Sequence, residues 1–467
     1  MDHPTNLQST PVDPQGERNP VRLKFKNHRL AVRPLDWAAG TAILLISVHF
    51  FAGLASVPFH PDESTHIYMS SDFERFFQNP TRLFWSASPK DAARQAYREL
   101  DAPLLRDLIG LGRWLNRSPA LATDWNWSKT WDENRASGAL PTPSLLLTAR
   151  VSADWVFPIA LFFIYLACRN AGFPSAGFIA VLLLGLNPVL LLHTRRAMAE
   201  GILFFGVALI LLLLSVKRSR GFLLGASVGI AICAKQSAVG LLPAAALAGV
   251  LSIPRASISV RKVSLVFIEL AVGLFGVYGL LNPFLWSNPI AALQDAAAKR
   301  EVLRLQQISD FTASRLNSVP AFGKQLALLV GEVYLVPPQF EEAGNYTAAT
   351  LPQQKAYLED PLNTLLSGPV WAGVFLFLTL VGMVYSTLRF SRSSPETRGW
   401  LAILAVATAG EIIFLCIALP LPFQRYTIPL FPLIGIWAGL GVESFLGILA
   451  EIRKAPQGKV VPGDSPS

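Results

Sequence analysis

The chain has 467 residues, of which 52% are hydrophobic and only 15% charged, and its mean hydropathy is +0.41. These proportions exclude an ordinary soluble globular protein and point to a polytopic membrane protein. The formal net charge of +9 does not indicate a nucleic-acid partner, because the basic residues fall in short clusters between apolar runs, as membrane topology requires.

Residues 1–34 read as a disordered, basic cytoplasmic tail, polar and rich in proline at its start. No cleavable signal peptide is visible, since the first apolar run starts late and is long enough to span. Apolar runs follow at about 36–57, 151–168, 174–193, 200–216, 221–234, 237–253, 263–285, 369–388, 400–420 and 428–448. They predict an all-α bundle of about ten transmembrane helices within a unit covering 35–455, with a cytoplasmic tail at 456–467. Reading 221–253 as one long helix would leave nine spans, and the positive-inside rule decides against it. With ten, the clusters Arg22/Lys24/Lys26/Arg30/Arg33, Arg169, Lys217/Arg218/Arg220, Arg255/Arg261/Lys262, Arg389/Arg392/Arg398 and Arg453/Lys454 share the cytoplasmic side. Both termini are then cytoplasmic, and the long segments 58–150 and 286–368 lie outside. Each mixes Trp, Phe and Leu with charge, as in Leu104 to Trp114 or Trp125 and Trp127. That pattern predicts amphipathic helices resting on the outer interface. Cys168, Cys233 and Cys416 sit inside apolar runs and make neither a metal-ligand spacing nor a disulfide framework. No internal repeat, nucleotide-binding glycine loop or prominent GxxxG packing signal stands out.

The stretch Phe59-His60-Pro61-Asp62-Glu63-Ser64-Thr65-His66 follows directly on the first apolar run. Pro61 suits the first turn of a helix, which puts Asp62 and His66 on one face. Ile67, Tyr68, Phe73, Phe76 and Phe77 make the other side apolar, so this helix is expected to lie along the membrane surface. A carboxylate at that level can take a proton from a hydroxyl beside the lipid headgroups; its bland alternative is a polar cap. Four cations break the topology rule by standing on short outer connections: Arg195, Arg196, Lys235 and Arg425. Gathered at one membrane face they suit an anionic lipid phosphate. Alternatively they snorkel, or pair with Glu200, Asp154 or Glu411. Arg150 and Asp154 read as a local ion pair. His193 and Tyr426 read first as interfacial residues.

His60-Pro61-Asp62-Glu63 resembles the carboxylate motif after the first span of the GT-C superfamily of membrane glycosyltransferases. The layout is similar to the protein O-mannosyltransferase and aminoarabinose-transferase branch. His193-Thr194-Arg195-Arg196-Ala197-Met198-Ala199-Glu200, Ala234-Lys235-Gln236-Ser237, Asn282-Pro283-Phe284-Leu285 and Arg425-Tyr426-Thr427-Ile428-Pro429 match its later landmarks in order. The resemblance covers about 35–450. It implies a GT-C-like bundle in the plasma (inner) membrane, with its site on the outer, periplasmic face. It further implies an inverting transfer of a sugar from a polyprenyl-phosphate carrier to an acceptor hydroxyl on a glycan, lipid or protein. Asp62 would be the base, while Glu63 would orient the acceptor or hold a divalent cation (Mg or Mn). Arg195, Arg196, Lys235 and Arg425 would neutralise the leaving phosphate, with His60, His66, Glu200, Gln236 and Tyr426 in support. The branch often carries a second acidic residue or a His-Pro-Pro-Leu stretch in the first outer loop, where Asp101-Ala102-Pro103-Leu104 stands nearest here. A transporter or lipid flippase using Glu269, Glu411 and Lys235 as a relay, or a non-catalytic lipid-binding relative, is the alternative.

Overall fold

A computed structural model describes residues 33–216, 221–315, 321–342, 344–418 and 423–454. The tails assigned at 1–34 and 456–467 therefore lie outside the described residues, apart from Arg33 and Pro34. So do Lys217, Arg218 and Arg220. Among the described residues all regular structure is helical.

Among the described residues six helices are long and apolar enough to cross a membrane: Pro34–Ala52, Pro143–Asn170, Val260–Leu280, Pro369–Arg392, Pro395–Ala418 and Gln424–Leu449. A seventh forms if Pro174–Gly185 and Pro188–Thr194, bent by 64° at their junction, count as one span. The chain is thus an integral, multi-pass membrane protein. The remaining apolar runs are the shorter helices Ala199–Leu214, Gly221–Ala234 and Gln236–Leu251. At 1.5 Å per residue a 14- or 16-residue helix falls short of a hydrocarbon core about 30 Å thick. Among the described residues each expected run is helical over most of its length, but six or seven, not ten, pass the length test. The 221–253 stretch is not one helix. It breaks at Lys235, whose backbone is extended (φ −159°, ψ 137°).

Close helix packing rests on glycine. Gly221, Gly225 and Gly229 lie at four-residue intervals on the face that meets Val260–Leu280. A Cβ at Gly225 would collide with the carbonyl of Leu270, and one at Gly273 with that of Phe222. A small-xxx-small seam is therefore present, written in the sequence as Gly221-x-x-x-Gly225-x-x-x-Gly229, which corrects the expectation that no GxxxG packing signal is prominent. Leu44, Val48, Val272, Phe275, Val370 and Phe377 point outward from the bundle as a lipid-facing surface.

The two long inter-span segments pack down on the helices. Pro61–Met69 is not a helix lying flat on a surface. It stops at Ser70, and Pro61, Glu63, Ser64, Thr65, Ile67 and Met69 are all buried. Ile67, Leu105 and Ile109 share one apolar core with Ala149, Ala153, Ile202 and Ala234 from the membrane helices. Of the apolar side expected to rest on lipid, Ile67 is buried in this core, whereas Phe77, on the next helix Asp72–Gln78, is exposed. The second segment closes over the first through Pro289–Arg315, where Lys299 pairs with Glu99 and Trp85 Nε1 donates to Asp295 at 3.0 Å.

Candidate functional site

The turn that presents Asp62 is fixed by its own sequence. His60 caps the Pro61–Met69 helix, its ring Nδ1 accepting from the Asp62 amide at 3.2 Å, while Glu63 Oε2 accepts from the His60 amide at 2.9 Å. Pro61 fills the first helical position, where no N–H is needed.

Asp62 and Glu63 then part company. Glu63 is wholly buried and accepts four hydrogen bonds: Arg150 Nε at 2.8 Å, Arg150 Nη2 at 2.9 Å, and the amides of Ala197 and His60, both at 2.9 Å. It ties the first inter-span helix to the Pro143–Asn170 span and to the bend before Ala199. Arg150 does not pair with Asp154, as the one-turn spacing suggested. Asp154 is buried with neither carboxylate oxygen hydrogen-bonded.

Asp62 keeps 26% of its side chain exposed and pairs with Arg425, 363 residues away. Arg425 Nη2 meets Glu342 Oε2 at 2.8 Å. The Tyr426 ring lies 5.4 Å from the Arg425 guanidinium carbon and 4.7 Å from Lys235 Nζ, both distances to its centroid. Lys235 in turn bonds Glu200 at 2.5 Å. Asp62, Arg425, Tyr426, Lys235 and Glu200 are therefore contiguous, together with Glu342. Burial works against ionisation of Asp62. The Arg425 guanidinium overrides it and holds the carboxyl below the usual carboxylate range. Glu342 is pushed the other way, raised by burial against the pull of Arg425, with the nearby charge of Asp62 adding to the rise.

Arg195 and Arg196 stand apart from this cluster. Arg195 is buried and donates to the carbonyls of Phe50 (3.1 Å) and His49 (2.8 Å) and to Asn363 Oδ1 (2.6 Å). It thus caps the last turn of Pro34–Ala52, where a cation is favoured. Gly53 leaves room for it, since a Cβ there would strike the guanidinium. Arg196 donates to the carbonyls of Pro58 (3.1 Å) and Phe340 (2.8 Å), joining the two inter-span segments. His66 and Gln236 are half-buried, the former on the Asp62 face. The His60 ring packs edge-on against Tyr346 and Trp127, at 5.5 and 6.4 Å.

Two residues of this site carried no signal in the sequence. Glu342 lies in an irregular stretch without a motif. Gln424, fully buried, donates to the carbonyls of Glu332, Val336 and Pro337 and accepts from the Gln339 amide at 2.8 Å. It seats Arg425 beside Glu342.

A divalent cation does not fit these donors. All of Glu63's hydrogen-bond sites face Arg150 and two amides, and Asp62 already faces a guanidinium. Among the described residues no three His, Cys, Asp or Glu side chains gather as metal ligands.

No family model matches the chain, and no curated protein matches it. Solved structures do. An oligosaccharyltransferase from Archaeoglobus fulgidus in its apo form matches at 14% identity and TM-score 0.47, over 89% of this chain and 51% of that one. ArnT from Cupriavidus metallidurans bound to undecaprenyl phosphate matches at 15% identity and TM-score 0.48, over 90% and 63%. The archaeal oligosaccharyltransferase AglB, in complex with an inhibitory peptide and a dolichol-phosphate, matches at 12% and 0.45, over 91% and 52%. The chain spans half to just under two-thirds of the length of these proteins.

Proposed function

We propose that this protein transfers a sugar from a polyprenyl-phosphate carrier to an acceptor hydroxyl at the outer membrane face, with inversion. The observation that carries the reading is the contact of Asp62 with Arg425 and, across Tyr426, its nearness to Lys235. Inverting displacement needs a base on the acceptor side and positive charge where the phosphate departs. Asp62, part-exposed and held ionised, takes the proton from the acceptor hydroxyl as its oxygen attacks the anomeric carbon. Arg425 and Lys235 receive the negative charge that builds on the leaving phosphate oxygen. Glu200 and Tyr426 position the lysine. Arg195, Arg196 and Glu63 hold the frame on which these groups stand. Asp62 and Glu63 do not act as the two carboxylates of a glycosidase, because adjacent residues cannot flank a sugar ring.

The test is transfer by Asp62→Asn protein reconstituted in vesicles. Activity is expected to fall by about 10²- to 10⁴-fold; transfer at a near wild-type rate removes Asp62 as the base. The rival reading, a transporter, draws on Glu411, buried in the Pro395–Ala418 span with both carboxylate oxygens unbonded. It requires lipid or solute movement without glycosyl transfer, and that movement should be lost in Glu411→Gln.

A further inference from the structure

The site carries three carboxylates, Asp62, Glu200 and Glu342, against two cations, Lys235 and Arg425. Both cations already have carboxylate partners. Arg196, held on the carbonyls of Pro58 and Phe340, has no ion pair with Glu342 but adds its charge nearby, so a phosphodiester brings one more negative charge onto two cations whose direct partners are already three carboxylates. Either the anion does not bind, or one carboxylate must give way.

The guanidinium of Arg425 shows which one. Its Nη1 faces Asp62. Its other edge, Nε with Nη2, is the planar fork that matches two oxygens of a phosphate or carboxylate. Nη2 of that fork is on Glu342 at 2.8 Å, and Nε is buried with no hydrogen-bond partner. Glu342 thus fills half of a two-pronged oxyanion seat. Glu200 is worse placed to leave, being 2% exposed behind Lys235, and Asp62 belongs to a helix capped on both sides. Glu342 is 12% exposed and sits between the Gly331–Leu335 turn and the Thr347–Glu359 helix, in irregular backbone.

We infer that Glu342 is a placeholder for the donor phosphate on Arg425, and that it leaves that seat protonated when the donor binds. This rests on the functional reading above and adds the coupling of donor binding to proton uptake. Asp62 stays on Nη1, so the same guanidinium would hold the base and the leaving group at once. The surroundings of Glu342 favour a proton there. It faces Arg425 and Tyr426 from the 424–430 turn, Asp62 from Pro61–Met69, Glu200 from Ala199–Leu214, and Lys235. Arg196 lies on the far side. From its own segment come Glu332 and Tyr346, whose hydroxyl accepts from the Glu342 amide at 3.3 Å. Burial raises the Glu342 carboxyl above the ordinary glutamate range, and burial also lifts its neighbour Glu332, to about 7. Because protonation accompanies binding, donor affinity is greatest below the raised Glu342 value. It falls by about tenfold per pH unit above that value.

The experiment uses the full chain in nanodiscs and a polyprenyl methyl phosphodiester, whose single charge is constant between about pH 5 and about pH 9. Affinity is measured across that range, and proton uptake by calorimetry in two buffers of different ionisation enthalpy. Above the raised Glu342 value wild type is expected to take up close to one proton per phosphodiester bound. Glu342→Gln should take up none and bind at least about tenfold more tightly than wild type at the alkaline end. Glu342→Asp should restore the proton uptake, which separates a placeholder from a merely structural side chain. A wild-type protein that binds the probe without proton uptake, or a folded Glu342→Gln that loses binding, overturns the inference and leaves the transferase reading standing. Absence of probe binding to wild type at every pH overturns both.

Discussion

Two ion-paired clusters in the same inter-span segment invite comparison. Around Asp72, which is 2% exposed, Arg98 bonds both carboxylate oxygens at 2.7 Å, and Arg94 and Arg106 stand at 3.8 Å. Three guanidiniums enclose one carboxylate. They come from neighbouring helices, Ala92–Leu100 and Pro103–Leu115, and leave no opening. Around Asp62 the balance is reversed: carboxylates outnumber cations, Asp62 and Lys235 are part-exposed, and the partners arrive from segments up to hundreds of residues apart. The closed cluster fixes a fold. The open one holds its two cations against three carboxylates and leaves Asp62 part-exposed, an arrangement in which a charged ligand can exchange with one of the carboxylates.

The first way to break the comparison is Asp72→Asn, which leaves buried guanidiniums without a full counter-charge. Its expected cost is about 3–5 kcal/mol in stability, read by thermal denaturation in detergent. A cost as small as that of Asp62→Asn would mean the two clusters do not differ in kind. Next in size are Arg425→Ala and Lys235→Ala, each expected to weaken phosphodiester binding by about 10- to 100-fold, as the removal of one charge-assisted hydrogen bond should. Each also removes the counter-charge of a buried carboxylate, Glu200 or Glu342, so the melting temperature should fall as well, and the binding loss is to be read on protein that remains folded. Unchanged donor affinity in both would remove the phosphate from this site.

Acid pH sharpens the contrast further. Burial opposes ionisation of Asp72, but its arginines, led by Arg98, hold the folded carboxyl below the usual range. Its contribution to stability is therefore complete above the ordinary aspartate value and is lost as pH falls through the lowered one. Wild-type melting temperature should drop in that acid window, and Asp72→Asn should lack that part of the drop. The smallest expected effect is at Tyr426. Tyr426→Phe keeps the ring facing both cations and should leave donor affinity within about threefold, whereas Tyr426→Leu loses about 0.5–1 kcal/mol of cation–π attraction. Equal behaviour of the two variants would discount the ring.

Much of the charged cluster around Asp62 is legible in the sequence. Asp62 is marked by its place after an apolar run, and Lys235 and Arg425 by standing where topology disfavours positive charge. The same signal also marks Arg195 and Arg196, which the fold spends on backbone carbonyls at the end of Pro34–Ala52 and between the two segments. A charge anomaly in sequence cannot separate a cation that caps a helix from one that faces a ligand, since both answer to partners far along the chain. Glu63 looks equivalent to Asp62. Only the roughly 100° step between successive helical residues turns one inward to Arg150 and the other outward to Arg425. Glu342 is invisible because its position depends on Gln424 pinning an irregular stretch. The glycines at 221, 225 and 229 are readable, but their weight emerges only with Val260–Leu280 lying against them.

The most direct measurement pairs Asp62→Asn with Arg425→Ala in single-turnover assays, following donor binding and sugar transfer separately. Asp62→Asn should bind the lipid phosphodiester as well as wild type or better, since it loosens one hold on Arg425, and yet transfer almost nothing. Arg425→Ala should fail first at binding. If Asp62→Asn instead transfers sugar at a near wild-type rate, or loses the lipid while remaining folded, the division of labour between base and phosphate seat is wrong.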